Sequence, residues 1–291
     1  MNNSGTEDEI FKYNNSPLEK LSGLTPTQTH ELIHDPLGEN SCIKFSAKIN
    51  SEILDKIPFF RISEEFLKII KREGFIKLTP LGALPKKVLV ELYDFKFITD
   101  DHIESGINKL YREDECISIK TARIVCQSTN LIKKSNGKLL LTKKGERCLK
   151  IENRFELFKV IFLIFTEKFN WAYNDGYSKE PIGQYGYLFS IYLLKKFGEK
   201  ENLTSFYSSK YLQVFEKFVT LFDKDYSTPE KQFNDCYTVR TFERFTEWFG
   251  FTNITGKQNF YDHENAKVVK TELFDKIFVY DQELLLLTGT N

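Results

Sequence analysis

Apolar side chains are sparse along residues 1–20, where Asn, Ser, Glu and Asp dominate, and this predicts a disordered tail. Thr25-Pro26 then reads as a helix start, because Thr can cap and Pro suits a first helical position whose N–H would be unpaired anyway. Pro36 stops that helix. Ile43, Phe45, Ala47 and Ile49 alternate with polar residues at the period of a half-buried strand. Ser63, followed by Glu64 and Glu65, reads as the cap of a helix whose Phe66, Ile69, Ile70 stripe ends at Gly74. Phe75–Thr79 reads as extended and residues 84–93 as a further helix. Thr99 opens another, with Ile103, Ile107, Leu110 and Tyr111 on one face.

Within 118–150, Ala122, Val125, Cys126 and Thr129 share a helical face, leaving Lys120, Arg123 and Gln127 mostly on the other. Two short strands, 131–134 and 139–142, flank Ser135-Asn136-Gly137-Lys138; Asn-Gly favours the positive φ angles of a type I′ hairpin turn. Helix, strand, two helices and a hairpin is the order of a winged helix with one inserted helix. Aromatic-rich helices are predicted over 154–172, 182–197 and 203–224, with a shorter one from Thr228-Pro229. Residues 240–249 read as a helix ended by Gly250, followed by strands near 251–254 and 266–270 and a helix from Thr271. This rhythm parallels 118–150 in architecture, too loosely to be a sequence repeat. The expected fold class is therefore mainly α (α+β): winged-helix-like modules with small β-hairpin wings and a central helical bundle. The expected division is a tail to residue 20, an N-terminal winged-helix-like domain over 21–150, and a helical domain over 151–291 ending in a second wing-like unit.

Composition adds a few constraints. The chain's 291 residues hold 41 basic and 41 acidic side chains, so bulk charge points to neither a nucleic-acid coat nor a membrane surface. The longest apolar run, Val160–Phe165, is far short of the roughly 20 residues of a membrane-spanning helix. Five scattered cysteines without a C-x-x-C pair, behind a polar N-terminus, read as reduced thiols of a cytoplasmic protein.

Three stretches carry a resemblance. They are Leu24-Thr-Pro-Thr-Gln-Thr-His-Glu-Leu-Ile33; Leu78-Thr-Pro-Leu-Gly-Ala-Leu84 with Asn130-Leu-Ile and Leu141-Thr-Lys-Lys-Gly145; and Phe169-Asn-Trp-Ala-Tyr-Asn-Asp-Gly176. Together these resemble a bacterial protein family with winged-helix-like modules, and the middle stretch is similar to the C-terminal half of proteins named after plasmid pRiA4b ORF-3. The resemblance covers about residues 21–195. It implies no reaction and transfers no functional residue.

Three constellations could carry chemistry. His30-Glu31-Leu32-Ile33-His34 is a literal H-E-x-x-H, whose two imidazoles at i and i+4 can hold zinc while Glu31 activates a bound water. Against it, the helix is short, Leu37 and Asn40 break the longer metzincin pattern, and no third ligand is signalled. The tract 116–150 has a net charge of +8 in an otherwise neutral chain. Lys120, Arg123 and Gln127 on the helix would face a DNA groove, with Lys133, Lys134 and Lys138 on the wing and Lys143 and Lys144 behind it beside phosphates. The corresponding 239–278 is balanced at six basic and six acidic residues, as suits a packing or dimerisation unit. Last, Trp171, Tyr173, Asp175, Tyr177, Tyr185 and Tyr187 surround Gly176, Gly183 and Gly186, as a ligand pocket would or, more simply, a knuckle between buried helices.

These features lead first to a non-enzymatic DNA-binding or regulatory protein whose partner is double-stranded DNA, with no cofactor. A zinc-dependent hydrolase using His30 and His34 is the alternative from another class. A third is a scaffold of a mobile-element or defence locus that binds a protein partner or a second copy of itself.

Overall fold

The computed structural model describes residues 4–223, 227–259, 261–281 and 284. The chain is mainly α with small two- and three-stranded sheets. Helix α1 (Ser4–Asn14) occupies most of the stretch expected to be a disordered tail. Helix α2 (Pro26–His34) begins as its sequence predicts: Thr25 accepts from the Gln28 N–H while the Gln28 side chain accepts from the Thr25 N–H. Strand β1 (Ile43–Phe45) is followed by α3 (Ser51–Leu54) and α4 (Pro58–Glu73). The last starts five residues before Ser63, because Pro58 takes its first position, and Ser63 is an interior residue whose hydroxyl donates to the Phe59 carbonyl. Gly74, at φ +74°, ends it.

Strand β2 (Ile76–Lys77) and α5 (Lys86–Asp94) follow. The long helix expected from Thr99 is only the single turn α6 (Asp101–Glu104), ended by Gly106 at φ +77°, and Ile107 and Tyr111 lie exposed. A 3₁₀ turn, Glu113–Glu115, leads into α7 (Ile117–Ser128). Strands β3 (Ile132–Ser135) and β4 (Lys138–Leu141) form the expected hairpin, with Asn136 at φ +48° and Gly137 at +70°. Helices α8 (Lys143–Cys148) and α9 (Arg154–Leu163) come next, α9 running on as a π-helical turn, Ile164–Lys168.

Further along are α10 (Tyr187–Phe197), β5 (Asn202–Leu203) and α11 (Thr204–Leu212). After a 3₁₀ segment, Glu216–Leu221, α12 (Pro229–Tyr237) continues without a break into a π-helix, Thr238–Thr246. Strands β6 (Thr252–Thr255) and β7 (Lys267–Lys270), α13 (Glu272–Ile277) and β8 (Phe278–Tyr280) complete the described chain.

The chain divides into two compact units that do not follow a cut at 150: Ile49–Asn170 with Trp248–Gly250, and Met1–Lys48 with Trp171–Glu247 and Phe251–Asn291. In the 49–170 unit, α4 packs on α7, with Cys126 Sγ against the Ser63 carbonyl, while Phe59 and Phe60 of α4 meet Phe165 and Phe158; all of these side chains are essentially inaccessible to water. Arg154 ties α9 to α4 by donating Nε to Glu64 at 2.7 Å, and to the end of α3 by donating Nη2 to Asp55 at 2.8 Å. In the other unit, β1 pairs antiparallel with β8, Ile43 opposite Tyr280, and the core is built from stacked aromatics such as Tyr211, Phe233 and Tyr237.

Each unit contains the same succession of helix, strand, helix, inserted turn, helix, hairpin and helix. In one it runs α4, β2, α5, α7, β3, β4, α8; in the other α10, β5, α11, α12, β6, β7, α13. Both sheets place the first strand beside the third: β2-β4-β3 and β5-β7-β6. The register agrees residue for residue. Ile76 faces Leu139 as Asn202 faces Val268, and Ile132 faces Leu141 as Thr252 faces Lys270. The amide of Leu78 donates to Gly137 O at 2.8 Å and that of Thr204 to Ala266 O at 2.9 Å. Thr142 N–H donates to Leu131 O and Thr271 N–H to Phe251 O, both at 2.9 Å, and each Thr hydroxyl caps the helix that follows. The hairpins differ: two residues connect β3 to β4, whereas 256–266 connect β6 to β7.

Candidate nucleic-acid interface

In a sheet, directly paired residues share a face and successive residues alternate. Ile76, Leu139 and Ile132 are buried, so one face of β2-β4-β3 is the core face. The opposite face carries Lys77, Lys138, Ser135, Leu140 and Lys133, with Lys77 directly across from Lys138 and Lys133 across from Leu140. Lys138 Nζ lies 3.9 Å from the centre of the Phe75 ring, which is 41% exposed. Lys134 falls at the outer edge of the core face, beyond Leu139, and is exposed.

Lys143 and Lys144 occupy the first turn of α8, exposed, at the end of the helix where a cation is disfavoured by the backbone dipole. The close docking of that turn explains Gly145: a Cβ there would lie 2.2 Å from the Leu131 carbonyl oxygen. Among the described residues none of Lys77, Lys133, Lys134, Lys138, Lys143 and Lys144 has a carboxylate within ion-pair distance. Lys77 is absent from the basic tract read along the sequence, because it lies sixty-one residues before Lys138 and joins it only through strand pairing.

The α7 residues are placed differently. Arg123, whose side chain is 13% exposed, donates Nε to Glu113, a carboxylate 2% exposed, and donates Nη1 to Gln127 Oε1 at 2.6 Å. The other Glu113 oxygen accepts the Leu84 amide at 3.1 Å. Lys120 pairs with Asp114, whose carboxyl this contact holds below the usual carboxylate range. Glu115 is lowered too, by the Arg112 and Tyr111 amides it accepts. Two of the three consecutive acids immediately ahead of the tract thus pair with cations of α7, and including all three reduces the excess of eight positive charges to five.

The register equivalence shows what the frame itself demands. At the positions of Lys77, Lys133, Lys134, Lys143 and Lys144 the other unit has Leu203, Asn253, Ile254, Glu272 and Leu273. Only Lys138 has a cationic counterpart, Lys267, and that lysine is paired with Glu201 at 3.5 Å.

His30 and His34 lie exposed on α2 with ring centres 4.4 Å apart. Among the described residues, no three His, Cys, Asp or Glu side chains are grouped as metal ligands. The aromatic and glycine cluster wraps an internal cation. Arg240, fully buried, donates Nε to Asp175 at 2.5 Å and Nη1 and Nη2 to the Glu180 and Ser178 carbonyls, while Arg244 holds those of Tyr173 and Asn174. All five cysteines are buried and free, and burial pushes the Cys42, Cys126 and Cys236 thiols up to about 12. Among the described residues, no helix is long and apolar enough to cross a membrane.

Residues 55–154 match the family model of the Y4jL N-terminal domain. The matched segment starts at Asp55 and ends at Arg154, which are hydrogen-bonded to each other at 2.8 Å, and it contains the whole lysine face. No curated protein and no solved structure matches the chain.

Proposed function

We propose that the 49–170 unit is a winged-helix module that binds double-stranded DNA through Lys77, Lys133, Lys134, Lys138, Lys143 and Lys144, and that the protein acts by binding rather than by catalysis. The observation that carries this reading is the comparison of the two frames. The same topology and register fold in the other unit with apolar, neutral or acidic residues at five of these six positions. Folding therefore does not require the lysines, and two of their placements oppose it. Lys77 facing Lys138 is a like-charge cross-strand pair, and Lys143 and Lys144 sit at the unfavourable end of a helix. Cations kept against a stability cost and without a carboxylate partner suit an external polyanion. Buried thiols accord with the reducing cytoplasm as the place of action.

Fluorescence anisotropy of the full chain with random duplex DNA at low salt tests the reading. At low salt, binding tighter than the roughly 10⁻⁴ to 10⁻⁶ M of non-specific DNA association at physiological salt is expected, with affinity falling steeply as salt is added. Combined neutralisation of Lys133, Lys134 and Lys138 should weaken it towards every duplex. Absence of binding at tens of micromolar would overturn the reading and reassign the lysine face to an acidic protein partner.

A further inference from the structure

We infer that this module grips the phosphate backbone of duplex DNA of any sequence through its sheet face, and that α7, the helix positioned to read bases, is closed to the groove by the chain's own carboxylates. The inference rests on the DNA-binding reading above and adds the mode of recognition.

Direct readout requires side chains free to hydrogen-bond base edges. On α7 those groups are already used. Arg123 is held by Glu113 and by Gln127 Oε1, Lys120 by Asp114, and Ser128 donates back to the Ile124 carbonyl at 3.0 Å. The Glu113 clamp is not a loose surface pair. Its carboxylate is buried and also accepts the Leu84 amide, so releasing Arg123 would strand a desolvated charge. Both cations of α7, Lys120 and Arg123, are thus neutralised by Asp114 and Glu113 and offer little attraction to phosphates flanking a groove entered by that helix. The sheet face has the opposite character: Lys77 and Lys133 are exposed, Lys138 is half-exposed over the Phe75 ring, and no acid lies on that face among the described residues. Phosphate contacts of this kind position a protein on DNA without carrying sequence information.

The test is an anisotropy panel of several unrelated duplexes of equal length, titrated with the wild-type chain at several salt concentrations. Affinities within about threefold of one another are expected. Lys77→Ala and Lys133→Ala should each flatten the log–log salt slope by about one unit. Asp114→Asn and Gln127→Ala should leave both the affinity and the flat ranking of duplexes unchanged. A preference of about 10³ or more for one duplex, as specific binders show, would overturn the inference while leaving the DNA-binding reading intact. So would tenfold tighter binding by Asp114→Asn, since that would mean α7 reaches DNA once its clamp loosens. No binding to any duplex by the wild-type chain would instead overturn the DNA-binding reading, and this inference with it.

Discussion

Glu113 and Arg123 form an ion pair whose carboxylate is almost wholly withdrawn from water, linking the turn before α7 to the middle of that helix. Breaking one side of such a pair leaves an uncompensated buried charge, at a cost of roughly 3–5 kcal/mol. Arg123→Ala should therefore lower stability by that order in urea denaturation. Combining it with Glu113→Gln, which removes the stranded charge but keeps an acceptor for the Leu84 amide, should recover most of the loss.

Lys77 and Lys138 face each other across β2 and β4. Opposite charges at such a position stabilise a strand pair by about 0.2–1 kcal/mol, and like charges act against it. Lys77→Glu should thus raise the melting temperature of the protein while weakening the duplex-DNA binding proposed for this face. A variant that melts lower and binds less would instead mean that Lys77 supports the fold.

Two glycines of the same hairpin region should respond differently to alanine. Gly137, at φ +70°, has nothing within 4 Å of an added Cβ, so Gly137→Ala should cost about 1 kcal/mol for the left-handed backbone alone. Gly145→Ala drives a Cβ to 2.2 Å from a backbone oxygen and must displace α8 from β3. Thermal melts should rank Gly145→Ala clearly below Gly137→Ala.

In the other unit, Glu243 is buried against His263 and Lys257 of the β6–β7 connection. Burial pushes its carboxyl up, but His263 and Lys257 outweigh this and hold it below the usual carboxylate range. A carboxyl lowered by folding contributes stability above its unfolded pKa of about 4.3, and the contribution is lost as pH falls through the lower folded value. Glu243→Gln should consequently melt below the wild type at pH 7, and the gap should close as the pH is taken below about 4. Melting curves at several pH values check the sign.

Much of the local structure was legible along the chain because its causes are local. The Thr25-Pro26 cap, the Gly74 stop, the Asn136-Gly137 turn and the Thr271 cap are set by one or two residues whose backbone preferences do not depend on distant neighbours. The helix expected from Thr99 shows the limit: an apolar spacing of three and four suggested a buried face, but Ile107 is 73% exposed, and Gly106 at φ +77° ends the turn. Residues 4–14 err the other way, a polar segment that is helical although its large side chains Ile10 and Phe11 are exposed.

The candidate site divides along the same line. Lysine abundance in 116–150 belongs to the sequence alone, as do the hairpin that carries Lys133, Lys134 and Lys138 and the helix that carries Lys120, Arg123 and Gln127. Which of those cations remain available is a matter of tertiary geometry. Coulomb attraction and burial act through space, so Glu113 captures Arg123 ten residues away, Arg154 captures Glu64 ninety residues away, and strand pairing brings Lys77 to Lys138. The shared register of the two units is hidden in the sequence for the same reason: backbone hydrogen bonding sets it, and that bonding tolerates Leu203 where the other frame has Lys77 and Glu272 where it has Lys143.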